Sequence, residues 1–186
     1  MLNKGMSRSE IERELKGKGD FVQIDYLTRF IDQKPPLHEK KFAFMKLIEI
    51  YEGKGMFNDV AKIYSNLAIL AISQQEKIES LIKETKAYIQ GGRFEEADAI
   101  MRRAMDEVTI IKKTDIYEDI KNFYKKQAEV YERESKRNHA IKVYEKMLGM
   151  KISDNERKEV KTKLLELYEK LGKFRESSVM NHKRFG

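Results

Sequence analysis

The chain has 186 residues, of which 40% are hydrophobic and 37% charged, with a formal net charge of +7. That is long enough for one domain with a continuous core, and the absence of cysteine excludes disulfides, thiolate metal ligands and cysteine nucleophiles together. The start lacks a charged-then-apolar secretory signal, and no apolar run approaches the roughly 20 residues that span a bilayer, so the expected location is the cytoplasm.

Ser7 and Glu10 have capping-box spacing, a hydroxyl and a carboxylate three apart, and predict a short helix to about Lys16. Residues 17–20 turn the chain, and Asp20 can open a second helix carrying Phe21, Ile24, Leu27, Phe30 and Ile31. Pro35 and Pro36 end that helix and start the next, because a proline lacks the N–H that a helix interior needs but not the one a first turn leaves free. A third helix is expected over 42–52, with Phe44, Leu47, Ile48 and Tyr51 inside. A fourth, over 58–72, carries Val60, Ile63, Tyr64, Leu67 and Leu70, and its apolar run 67–72 reads as buried.

Ser73 and Glu76 form a second capping box, so a separate fifth helix should run from there to Gly91. The sixth is expected over 94–111, longer than its neighbours. Thr114 and Asp115 with Glu118 look like the next start, for a helix over 115–135 that keeps Ile116, Ile120, Phe123, Tyr124, Ala128 and Tyr131 in phase. A helix over 139–147 stops at Gly149. Ser153 and Glu156 are a third capping box, opening a helix to about Leu171 lined by Val160, Leu164, Leu165, Leu167 and Tyr168. The last helix, from about Phe174, has Ser177 and Asn181 where earlier helices are apolar, as a terminal unit without a neighbour would.

One phrase recurs through this series. Tyr88 is followed four, six and nine residues on by Gly92, Phe94 and Ala97; Tyr51 by Gly55, Phe57 and Val60; Tyr168 by Gly172, Phe174 and Ser177. Worn copies follow Leu15 (Gly19, Phe21, Ile24) and Tyr131 (Ser135, Arg137, Ala140). The anchors lie 36, 37, 43 and 37 residues apart, which makes about five helix pairs in units near 7–36, 37–73, 74–113, 114–152 and 153–183.

These residues resemble the tetratricopeptide repeat. In that family an aromatic near the end of a first helix is followed by a glycine, an aromatic and an alanine at these offsets. Phe44 and Leu81 match its large first-helix residue, and Tyr64 and Met101 its later aromatic site. The resemblance implies an all-α, right-handed α-solenoid of antiparallel helix pairs, and a non-enzymatic scaffold or adaptor that binds a peptide or helix on its concave face. Two departures qualify it. The family's small first-helix residue is Ile48, Thr85 and Leu165 here, with only Ala128 small, and every interval exceeds the family's roughly 34 residues. Longer units resemble adaptors such as the soluble NSF attachment proteins.

By the resemblance, first helices line the concave side. Phe42, Met45 and Glu49 would face it from one unit, and Glu79, Ile82 and Lys86 from the next. Asn122, Lys125, Glu129 and Arg133 would follow. Some family members clamp a terminal carboxylate with asparagine and lysine; Glu49, Lys86, Glu129 and Glu166 fill the asparagine slot here, so that mode is not expected.

Chemistry is sparsely signalled. His38, His139 and His182 lie in different units without ligand spacing, and Gly53-Lys54-Gly55 and Gly91-Gly92 lack the P-loop pattern, so neither metal nor cofactor nor catalytic residue is expected. A basic cluster at Arg133, Lys136, Arg137, His139 and Lys142, with the tail His182-Lys183-Arg184, makes nucleic acid the alternative partner, and self-association stays open.

Overall fold

The computed structural model describes residues 1–182, without the side chains of Phe174, Asn181 and His182, so the expected Asn181 cap and the basic tail lie outside the described residues. Ten helices and no strand are found among the described residues. They are α1 (Arg8–Leu15), α2 (Asp20–Asp32), α3 (Leu37–Gly53), α4 (Phe57–Ile69), α5 (Gln74–Gln90), α6 (Phe94–Asp106), α7 (Ile110–Arg133), α8 (Arg137–Leu148), α9 (Asp154–Lys170) and α10 (Phe174–His182). From α2 onward each helix packs on the one that follows, and α5 also reaches α7. No helix among the described residues is long and apolar enough to cross a membrane.

The recurring phrase folds into one turn, repeated four times. Gly55, Gly92, Ser135 and Gly172 have φ of 68, 71, 58 and 65°, the left-handed region that a helix end needs to reverse its path. In each copy the next residue's N–H donates to the anchoring tyrosine's carbonyl: Met56 to Tyr51 at 2.8 Å, Arg93 to Tyr88 at 2.9 Å, Lys136 to Tyr131 and Lys173 to Tyr168 both at 2.8 Å. The Leu15 copy differs. Lys16 leaves α1 with ψ 129°, so the reversal comes early at Gly17, φ 76°, and Gly19 is left extended before α2. Phe21, next in the phrase, is consequently 74% exposed, with the Lys54 ammonium 4.6 Å from its ring centroid.

The residue nine after each anchoring tyrosine is buried: Val60, Ala97, Ala140 and Ser177. Two large clusters form the interior. One gathers α1 to α4 around Leu27, Phe30, Leu47 and Val60; the other gathers α5 to α9 around Ile89, Ile120, Tyr124 and Leu164. Tyr88 packs against both.

Ser7 and Ser153 make complete capping boxes with Glu10 and Glu156, as their spacing predicts. At Ser73 only half the box forms: its hydroxyl accepts from the Glu76 amide at 3.1 Å, while the Glu76 carboxylate takes the Ile72 amide at 2.9 Å and the Lys41 ammonium. Four boundaries need correction. α4 stops at Ile69, so Ile69 and Ile72 are 77% and 81% exposed rather than buried. α6 ends at Asp106, and the long helix is α7, at 24 residues. The α7 start is Thr109, not Thr114, because Gln74 on α5 binds the carbonyl of Glu107 at 3.0 Å and holds the chain out of helix there. α3 begins at Leu37, five residues early, straight after Pro36 with its φ of −52°.

Candidate functional site

The residues of the expected binding face are carried by α3, α5 and α7, and ion pairs tie these helices together step by step. Lys46 of α3 reaches Glu12 of α1 at 3.3 Å, and Lys41 of α3 pairs with Glu76 of α5. Lys86 of α5 meets Asp119 of α7 at 2.8 Å. From α7 to α9 there are three such pairs: Lys121 with Glu156 and Lys125 with Glu159, both at 2.9 Å, and Glu132 with Lys163 at 3.5 Å. Ion pairs thus link the odd-numbered helices one to the next and engage Lys41, Lys46, Lys86, Lys121 and Lys125. Sequence reasoning missed this lacing, although Lys121, buried in the apolar phase of α7, was a signal.

The ten expected residues are not equally available. Met45 is 41% exposed, and Glu49, Glu79, Asn122, Glu129 and Arg133 are exposed. Phe42 is half-buried between two cations, with Arg8 5.3 Å and Lys46 5.6 Å from its ring centroid. Ile82 is half-buried against the larger core cluster. Lys86 lies over the Phe123 ring at 5.4 Å while paired to Asp119, and Lys125 is engaged by Glu159. Glu49 accepts from Lys46 at 3.1 Å, and Glu79 from Gln75 at 2.8 Å.

Electrostatics follow from these contacts. Burial pulls the Lys46 ammonium down, but the hydrogen bonds it donates to Glu49 and Glu12 prevail and hold it above its ordinary value. Lys121 is raised by its bonds to Glu118 and Glu156, and Lys125 by Glu159. Glu84 of α5 is 2% exposed; burial pushes its carboxyl up, against the pull of the Arg103 charge and the Ser65 hydroxyl. Its Oε2 and the Tyr124 hydroxyl are buried without a hydrogen-bond partner.

The basic cluster surrounds the α7–α8 turn. Lys136 pairs with Glu134 at 2.8 Å and His139 lies against Tyr131, ring centroids 5.3 Å apart, while Arg133, Arg137 and Lys142 are exposed. No group of three or more histidine or acidic side chains that could hold a metal ion is found among the described residues. No family model, curated protein or solved structure matches the chain.

Proposed function

We propose that the chain is a tetratricopeptide-like, right-handed helical-repeat scaffold, without chemistry of its own, that holds a peptide or helix of another protein in a groove formed by its first helices. The observation that supports this reading is the same left-handed turn with the same hydrogen bond at four equivalent places, after α3, α5, α7 and α9, as a stack of like helix pairs requires. On the expected face Met45 is an exposed apolar side chain, one turn from the exposed Glu49; Leu37 of α3 and Ile110 and Ile111 of α7 are also exposed on these helices. The internal ion pairs keep the row rigid, so a partner would meet a preorganised surface.

The test is capture of partners from an extract of the source cells by the full chain, by Met45→Glu, and by Met45→Glu with Ile82→Glu. Met45→Glu alone changes an exposed side chain and leaves helicity unchanged. Loss of the captured protein in that variant supports the groove, and retention in both variants removes it.

A further inference from the structure

The far end of the helix row differs from the rest in one respect. Seven residues before each anchoring tyrosine, Phe44, Leu81 and Tyr124 fill the space inside their helix pairs, each no more than 6% exposed. The equivalent residue of α9 is Lys161. Lys161 lines a cavity of about 600 Å3 together with Leu148, Val179, Met180, Arg157, Arg175 and Glu176. A second cavity of about 320 Å3 shares Arg157, Lys161 and Met180 and adds Lys158, Asp154 and Leu165. Val179 is 59% exposed, and stands eleven residues after its anchor, where other helices carry Lys62, Ala99 and Lys142.

Charge indicates what would lie there. Along the row from α3 to α7, Lys41, Lys46, Lys86, Lys121 and Lys125 are all paired. Around the two cavities, Lys158, Lys161 and Arg175 take part in no ion pair among the described residues, and the Arg157 guanidinium is held at the rim by the Leu148 carbonyl at 3.0 Å. Four cations face two carboxylates, Asp154 and Glu176.

We propose that this end binds an amphipathic helix of a protein partner, which sets its apolar side chains into the two cavities and its carboxylates against Lys158, Lys161 and Arg175. This surface shares α9 with the groove proposed above but is centred on α10, so loss at Lys158, Lys161 and Arg175 and loss at Met45 are distinguishable.

The probe is a fluorescein-labelled peptide of about 18 residues, five helical turns, with leucines on one face and glutamates elsewhere. Its anisotropy is followed with the full chain. We expect saturable binding, weakened at least about tenfold by K158Q/K161Q/R175Q together and by Val179→Glu alone, equivalent to about 1.4 kcal/mol or more. Met45→Glu binds as the parent does. R102Q/K112Q/K126Q removes the same charge elsewhere on the surface and also binds as the parent does. The same peptide with lysine for glutamate does not bind. The proposal falls if the parent chain shows no saturation, if the lysine peptide binds equally, or if both triple variants weaken binding alike. It also falls if phosphatidylserine vesicles, and not the peptide, bind with the dependence on Lys158, Lys161 and Arg175.

Discussion

Glu156 collects three stabilising contacts at one carboxylate. The Ser153 amide donates to it at 2.7 Å, the Lys121 ammonium meets it at 2.9 Å, and the Ser153 hydroxyl adds a third. In that order these hold its carboxyl at about 2, well below the usual 4.5, with burial opposing weakly. A carboxyl lowered in the folded state stabilises the fold above its unfolded value and loses that contribution as pH falls through its folded one. Glu156→Gln should therefore lower stability at pH 7 by about 1 kcal/mol, the typical size of a helix cap. The difference from the parent should close between about pH 4.5 and pH 2, as read from urea midpoints. A difference that stays constant across that range would mean that the carboxylate contributes through shape and not charge.

At the scale of the helix, Ser135 is the one non-glycine at the four repeated turns, with φ of 58°. A Cβ in that region strains the backbone by roughly 1–2 kcal/mol. Ser135→Gly should raise stability by about 0.5–1 kcal/mol, part of the relief being returned to the more flexible unfolded chain. Gly92→Ala, where no atom lies within 4 Å of an added Cβ, should lower it by about 1 kcal/mol through backbone conformation alone. Thermal midpoints that move the other way in either variant would remove the turn from the account. These turns were legible in the sequence because glycine is selected by a local requirement. The α6–α7 boundary was not: Thr114, Asp115 and Glu118 mimic a helix start, while the real break at Glu107 is set by Gln74 and Lys77 on a different helix. The candidate face was legible in part. The resemblance supplied its residues, of which Met45, Glu49, Glu79, Asn122, Glu129 and Arg133 are exposed, but Phe42 and Lys86 are taken up by cations, rings and carboxylates of neighbouring helices, and no local pattern announces that.

For the whole molecule the decisive feature is that the interior is in two parts joined at α5. The cluster around Phe30 and Leu47 and the cluster around Tyr124 and Leu164 meet at Tyr88, and the small group Ala68, Leu81 and Ala104 adds a seam between α4, α5 and α6. In a stack where each helix mainly touches its neighbours, cooperativity depends on such junctions, because stability is close to a sum of unit and interface terms. Weakening one interface should let the two sides unfold apart. Tyr88→Ala removes a half-buried ring from both clusters and should lower stability by about 2 kcal/mol, below the 3–5 typical of a fully buried aromatic. Hydrogen exchange read by mass spectrometry resolves the halves. In the parent chain, amides of α3 and of α9 should lose protection at the same urea concentration, and in Tyr88→Ala at different ones. Tyr88→Phe, which keeps the ring, should behave as the parent does. If α3 and α9 still open together in Tyr88→Ala, the coupling runs through the α4–α5 contact and the ion-pair row instead, and the junction at Tyr88 is not what makes the molecule one unit.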